Sequence, residues 1–294
     1  LEQKKRIVII ANPFSGNKIG KDIDQALKTY LDSEIYDYEI QYTEYPSHAI
    51  EIARHAADHG YYAVIAAGGD GTLNEVVNGV SGKPIIIGII PAGSGNGFAH
   101  HLGIRHNIEK AISVINKGNT MQIDIGKLND RYFINLGGVG LDAKVAYKTQ
   151  KNKSRGFLPY FLQTLSEIVN FKSSFMVIET PEKTWSGAYV TAVIANGSIY
   201  GYDFTIAPAS ILHDGQFDVL LFKKAPLWKY LINLPKLLRK KIHTSELVEY
   251  FKTSKITITP RDKVFYHVDG EGFETDCSIE FSIMPNHITI FTPV

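Results

Sequence analysis

Between Arg6 and Asn116 apolar runs alternate with amphipathic segments, and beyond Met121 that alternation stops. This change of rhythm limits the folds open to the chain. "RIVIIANP" (Arg6–Pro13) is a continuous apolar run, as expected of a strand buried on both faces. A helix over about Asp22–Leu31 and a strand near Tyr38–Thr43 follow. Next comes an alanine-rich helix, Ala49–Asp58, with Ser47 as its expected cap and Gly60 as its end. The strand "YYAVIAA", a helix over Leu73–Val80 and the strand "PIIIGIIPAG" continue the series. Short helices near Asn96–Leu102 and Ile108–Asn116 close it. Repeated βα units of this kind predict a parallel α/β sheet.

After Met121 strand follows strand: "MQIDIGKL", "RYFINLGG", "SFMVIET", "GAYVTAVIANG", "QFDVLLFKK", "KITITP", "KVFYHVDG", "CSIEFSI" and "HITIFTPV". Many alternate with period two, and Gly, Asn, Asp and Pro lie between them. This predicts an antiparallel second domain, a sandwich, interrupted by helices near Leu158–Phe171 and Pro226–Lys241. The expected fold is α/β plus all-β. An α/β domain with a parallel sheet takes residues 1–122, and an antiparallel β-sandwich domain takes 123–285.

A chain of 294 residues is long enough for two such domains. Hydrophobic content of 44% and charged content of 21% exclude a disordered chain. A net charge of +1 gives no electrostatic footprint for nucleic acid. The single cysteine, Cys277, excludes a disulfide framework and suits a reducing cytosol. No apolar run reaches the ~20 residues needed to span a bilayer, and no secretory leader is visible in a chain that opens on Leu1 rather than Met. The expected location is cytoplasmic.

The chemistry is concentrated in "AVIAAGGDGTLNEVV" (Ala63–Val77), where an apolar strand runs into Gly68, Gly69, Asp70, Gly71 and Thr72. Ligands of open α/β sheets sit beyond the carboxyl ends of the strands. Glycines let the backbone approach a phosphate, and the following helix offers unpaired N–H groups. A carboxylate repels phosphate unless it holds Mg²⁺ or accepts a proton from an attacking hydroxyl. The bland alternative, a tight turn with Asp70 as an N-cap, needs no three glycines. "NPFSG" (Asn12–Gly16) and "PAGSGNGFAHHLGI" (Pro91–Ile104) follow two other strands, so all three turns are expected on one sheet edge. The chain has no G-x-x-x-x-G-K-[ST] sequence and is not a P-loop enzyme.

Taken with "LHDGQFDVLLF" (Leu212–Phe222) and "HVDGEGF" (His267–Phe273), these motifs resemble the diacylglycerol kinase catalytic-domain family, which includes bacterial lipid kinases, sphingosine kinases and ceramide kinases. The resemblance spans nearly the whole chain in motif order. It implies an ATP-dependent lipid kinase that uses Mg²⁺ and phosphorylates a hydroxyl of diacylglycerol, a sphingoid base or a related lipid. It points to Asn12, Ser15, Gly16, Thr43, Gly68, Gly69, Asp70, Gly71, Thr72, Asn74 and Ser94 as the nucleotide site. It implies Glu271 as general base, with Asp70 as the rival for that role near the transferring phosphate and Mg²⁺, and Asp269 as a metal or positioning partner. Ile211, Asp214 and Gln216 match a structural Mg²⁺ site, while Asp124 matches an acid that orients waters on the catalytic metal. It implies that residues 1–122 are an α/β nucleotide-binding domain and 123–285 a β-sandwich lipid-binding domain, with the active site expected in the cleft between them, and in relatives the last strand, here about 286–294, returns to the first domain. Gly97 stands where many bacterial diacylglycerol kinases have aspartate, so "GSGN" is closer to the sphingosine and ceramide kinases. The remaining alternatives are a soluble kinase like NAD kinase, which shares Gly-Gly-Asp-Gly, and a non-catalytic nucleotide-binding regulator. His100 and His101 read as surface and packing residues.

"PLWKYLINLPKLLRKKIH" (Pro226–His243) carries Lys229, Lys236, Arg239, Lys240 and Lys241 and no acid. Leu227, Trp228, Leu231, Leu234, Leu237 and Leu238 form its apolar side. Two readings stand equal: a basic amphipathic helix lying on an anionic bilayer, or a core helix with a solvated basic face. Pro235 is expected to kink the segment or divide it in two. The expected partners are a lipid substrate, a membrane surface and possible homodimer formation, with no nucleic acid.

Overall fold

The structure, a computed structural model, describes residues 3–15, 19–104, 107–152, 173–200 and 204–293. Gly16 and the expected helix at 158–171 lie outside them. The chain divides into two compact units, Leu1–Asp124 with Asn286–Val294, and Ile125–Pro285.

The first unit runs β1 (Lys5–Ala11), α1 (Ile19–Tyr30), β2 (Tyr36–Tyr42), α2 (His48–Asp58), β3 (Ala63–Gly68), α3 (Asp70–Val80), β4 (Ile86–Pro91), α4 (Gly97–His101) and α5 (Ile108–Lys117). Its strands pair in parallel in the order β4-β3-β1-β2. The end of β15 (Ile279–Phe291) adds a fifth parallel strand, with Thr289 opposite Ile86. Ile7, Ile9, Ile10, Ile65 and Ile87 are fully buried in this sheet. That explains why β1 and β3 read as unbroken apolar runs: helices cover both faces of a parallel sheet.

Two local expectations change here. Ser47 occupies the N-cap position of α2 with φ 69° but makes no side-chain cap bond. Glu75 of α3 caps α2 instead, accepting the N–H groups of Ser47 at 3.0 Å and Ala49 at 3.1 Å. Gly60, at φ 71°, follows the end of α2 as expected.

The second unit contains the end of β5 (Thr120–Leu128), then β6 (Arg131–Phe133), β7 (Leu136–Gly140), α6 (Leu141–Asn152), β8 (Ser174–Glu179), β9 (Thr184–Ala195), β10 (Phe217–Lys223) and α7 (Leu227–Leu238). β11 (Val248–Thr253), β12 (Lys255–Pro260), β13 (Val264–Val268), β14 (Glu271–Thr275) and the start of β15 complete it. The strand order is β14-β13-β7-β9-β8-β12-β15, with β10 between β9 and β11, and these pairs are antiparallel. β9 changes partner along its length: Thr184–Tyr189 pair with β8 and Thr191–Ala195 with β7. One long strand thus serves two sets of neighbours, as at the corners of β-sandwiches. The core holds Phe133, Phe217 and Phe281, with Phe133 stacked on Phe217 at 5.7 Å and edge-on to Phe281 at 5.9 Å.

The α/β plus antiparallel β-sandwich architecture is the one the pattern predicts, with four differences of detail. "RYFINLGG" is two strands, because the N–H groups of Ile134 and Asn135 leave the ladder for Asp269. "CSIEFSI" and "HITIFTPV" are one strand, β15, running on through Pro285 and the positive-φ Asn286. Helix α6 and strands β11 and β14 have no counterpart in the expected series. Finally, α7 stays one helix with Pro235 inside it. The proline falls near its end, where one missing N–H costs little continuity.

Candidate active site

The three glycine turns follow the carboxyl ends of β1, β3 and β4 and are bonded to one another. Asn12 donates its backbone N–H to Ala67 at 3.1 Å, and its amide Nδ2 lies 3.4 Å from Thr72 Oγ1. Its Oδ1 accepts the N–H of Phe14 and its carbonyl that of Ser15, so the first turn folds around this side chain. The Gly68 carbonyl accepts the N–H groups of Ala92 at 2.8 Å and Gly93 at 3.3 Å. A Cβ on Gly93 would stand 2.5 Å from the Gly69 Cα, so these two turns touch backbone to backbone and admit no side chain between them. Asn96, in the left-handed region at φ 49°, holds the third turn by accepting from Gly93 N and donating to Gly93 O.

Asp70 is the first residue of α3, and Gly69 is its N-cap. Its carboxylate instead serves α4, accepting the N–H of Gly97 at 3.1 Å and of Phe98 at 3.3 Å. The acid therefore stands at the N-terminal ends of two helices. Gly71 is exposed and open on its Cβ side. Ser94 is exposed, Thr72 is buried and Asn74 is half-buried. Thr43 is buried, with its N–H on Ala11 O at 3.0 Å, which places it beside the first turn. Asp124 is 1% exposed, and its Oδ1 accepts the N–H of Asn286 at 2.8 Å. His101 stacks on Phe98 with ring centroids 6.2 Å apart, and burial lowers its pKa, as suits a packing residue.

In the second unit Asp269 and Gly270 form the tight turn of the β13–β14 hairpin, at φ 46° and 85°. Two successive left-handed residues are the Asp-Gly hairpin signature. The Asp269 carboxylate takes three backbone N–H groups, from Ile134 and Asn135 at 2.9 Å and from Leu136 at 3.0 Å. It thereby anchors the β6–β7 connection to the hairpin. Glu271, just past the turn, is half-exposed, and its Oε2 accepts from Arg131 at 2.7 Å. The Arg131 guanidinium also lies over the Phe273 ring at 4.5 Å.

Asp214 sits in the turn before β10. Its Oδ1 accepts the N–H of Gln216 at 3.1 Å and its Oδ2 meets Lys252 Nζ at 2.6 Å. Lys252 also lies 3.4 Å from the buried Asp218, whose pKa is raised by burial. Ile211 is exposed. An ammonium thus already balances the charge where a structural cation is expected. Among the described residues no group of three or more His, Cys, Asp or Glu side chains could hold a metal ion.

One constellation has no sequence signal of its own. Asp142, at the start of α6, accepts from Thr191 Oγ1 at 2.5 Å and Tyr200 OH at 2.7 Å, and lies 3.1 Å from His267 Nε2. His267 Nδ1 faces the Gly270 N–H at 3.4 Å, so the ring links Asp142 to the turn that carries Glu271. With a proton on Nε2 the ring can donate to Asp142 while Nδ1 accepts from Gly270. Burial pushes the Asp142 carboxyl up, but His267 and the hydrogen bonds from His267, Thr191 and Tyr200 outweigh it and hold its pKa below the usual value. Gly138 makes room: a Cβ there would stand 2.7 Å from His267 Nε2. Asp142 and His267 are 125 positions apart, so only the fold joins them. Arg131, too, is unremarkable in sequence, and only the fold brings it to Glu271.

Two family models match the chain. Residues 6–128 match the diacylglycerol kinase catalytic domain, and residues 137–292 match the YegS C-terminal NAD kinase beta sandwich-like domain. The chain is 33% identical over 297 residues to the diacylglycerol kinase of Bacillus subtilis, covering 98% of this chain and 97% of the relative. It is 34% identical over 296 residues to that of Staphylococcus epidermidis, covering 99% and 93%. A solved structure described as a putative diacylglycerol kinase from Bacillus anthracis superimposes with a TM-score of 0.81 at 23% identity, covering 99% of this chain and 98% of that one, a likeness of fold. With a third of its residues shared across nearly its whole length, the chain belongs to the diacylglycerol kinase family of lipid kinases, phosphotransferases that draw on a nucleotide donor.

Proposed function

We propose that this protein is an ATP- and Mg²⁺-dependent lipid kinase acting from the cytoplasm on a lipid hydroxyl, with diacylglycerol the foremost substrate because the full-length relatives carry that name. The observation that carries the reading is the bonding of the three glycine turns around Asp70. Such turns bring backbone N–H groups and helix N-termini close to the nucleotide phosphates. Asn12, Ser15, Gly16, Thr43, Gly68, Gly69, Gly71, Thr72, Asn74 and Ser94 form the nucleotide site in this reading. Mg²⁺, when bound, neutralises charge on the transferring phosphoryl group. A carboxylate offers about four acceptor positions, so Asp70 can keep its bonds to α4 and still serve a hard cation, and Asp124 can orient the waters of that cation. At Asp214, with Ile211 and Gln216, Lys252 competes for the same oxygen, so the fit of a structural Mg²⁺ is poorer there and no step is assigned to it.

Glu271 serves as the base in this reading. It takes the proton of the lipid hydroxyl as that oxygen bonds to the γ-phosphorus and ADP departs. Arg131 orients Glu271 until substrate enters, and Asp269 holds the turn beneath it. The test is a kinase assay with ATP and Mg²⁺ across diacylglycerol, sphingoid base, ceramide and phosphatidylglycerol in mixed micelles, with NAD alongside. Phosphorylated diacylglycerol is expected. Phosphorylation of NAD alone, or nucleotide binding with no transfer to any acceptor, overturns the reading.

A further inference from the structure

Helix α7 is amphipathic in the inverse sense to a helix that packs on a core. Its exposed side chains include Trp228 at 57%, Leu231 at 57%, Ile232 at 67% and Leu238 at 71%, with Pro235 also exposed. These positions recur at i, i+3, i+4, i+7 and i+10, so they line one stripe of the helix. The side turned inward is more polar. Asn233 accepts from Ser245 Oγ at 2.8 Å and donates to Lys229 O at 2.9 Å, and the Tyr230 hydroxyl bonds to Lys223 O. Leu237, expected on the outer apolar side, instead packs on the core cluster of Val193, Leu220 and Ile242. The helix is thus anchored by its polar side and presents its apolar side to solvent, the arrangement that marks an interaction surface.

Charge identifies what covers it. Lys229, Lys236, Arg239, Lys240 and Lys241 accompany the stripe, and no acid lies between Pro226 and Ser245. Arg239, Lys240 and Lys241 are exposed just past the helix, and Lys229 Nζ lies over the Trp228 ring at 5.7 Å. A protein partner with a hydrophobic groove would satisfy the stripe but would also have to supply a cluster of acids. An anionic bilayer satisfies both at once, with acyl chains for the stripe, phosphates for the cations and the headgroup boundary for tryptophan. We infer that α7 and the basic residues after it form the surface by which this protein docks on an anionic membrane. The choice of a bilayer rests on the lipid-kinase reading, whereas the exposed stripe does not.

The test is co-sedimentation of the full chain with vesicles of phosphatidylcholine, or of phosphatidylcholine with phosphatidylglycerol, at low and high salt. Two variants are compared with wild type: Trp228→Ser/Leu231→Ser/Leu238→Ser, and Arg239→Gln/Lys240→Gln/Lys241→Gln. All six side chains are exposed, so fold and phosphorylation of micellar lipid should persist. Wild type is expected to prefer the anionic vesicles, and each variant to lose about tenfold or more of that partitioning. The loss in the basic variant should be reproduced in wild type by salt. Equal partitioning of all three proteins, or no binding by wild type, overturns the inference. So does a wild-type dimer, seen by sedimentation velocity, that the apolar variant converts to monomer, since the stripe would then be a contact between copies. Vesicle binding involves no phosphoryl transfer, so its outcome is independent of whether the kinase reading holds.

Discussion

Asp70 Oδ2 accepts the backbone N–H of Gly97 at 3.1 Å, a bond across 27 positions that ties the second glycine turn to the third. In the proposed reading the same carboxylate also serves the transferring phosphoryl group. Asp70→Asn keeps an acceptor oxygen but removes the charge. Turnover should fall at least about 10²-fold, the scale of a positioned electrostatic group, while the midpoint of thermal unfolding changes little. The measurement is initial rate beside a melting curve, and a near-normal rate would remove Asp70 from the mechanism.

Glu271→Gln should also lower turnover by about 10²-fold or more, with a smaller loss of nucleotide affinity than in Asp70→Asn, because Glu271 is read as facing the acceptor hydroxyl. Arg131→Ala removes the guanidinium at 2.7 Å and its stacking on Phe273. It should lower turnover less than Glu271→Gln. Isothermal titration with a nucleotide analogue, paired with initial rates, separates the two effects.

Gly93→Ala places a methyl group 2.5 Å from the Gly69 Cα, where only backbone can move. Separating the two turns should cost about 1–3 kcal/mol of stability and weaken nucleotide binding. Gly71→Ala, open on its Cβ side, should leave stability nearly unchanged. Urea denaturation of both variants is the comparison, and equal midpoints would contradict the packing described.

Asp142→Asn should cost about 3 kcal/mol near neutral pH, because it breaks a buried charge-assisted network. The Asp142 pKa in the folded protein lies below its ordinary value of 3.8. Its stabilisation is therefore fully present above pH 3.8 and is lost as pH falls through the lower folded value. The stability gap between wild type and Asp142→Asn should be constant from pH 7 to about 5 and shrink at more acid pH. A gap that widens on acidification would contradict this sign.

The sequence by itself determined the two architectures, because burial on both faces makes β1 and β3 continuous apolar runs, while half-buried antiparallel strands alternate. It also placed the glycine turns, since glycine at a strand end is a local requirement that needs no partner to be recognised. What it left to the tertiary structure were the partners of charged side chains. The capping of α2 by Glu75 rather than Ser47, the reach of Asp70 to α4, and the anchoring of Ile134, Asn135 and Leu136 by Asp269 all join distant positions. So does the Asp142–His267 contact. Hydrophobic periodicity reports which face of an element is buried, but it carries no record of which distant N–H a carboxylate will meet. The same limit held for α7. Its sequence allowed a core helix or a membrane helix equally, and the packing of Asn233, Tyr230 and Leu237 inward decided that Trp228, Leu231, Ile232 and Leu238 face out.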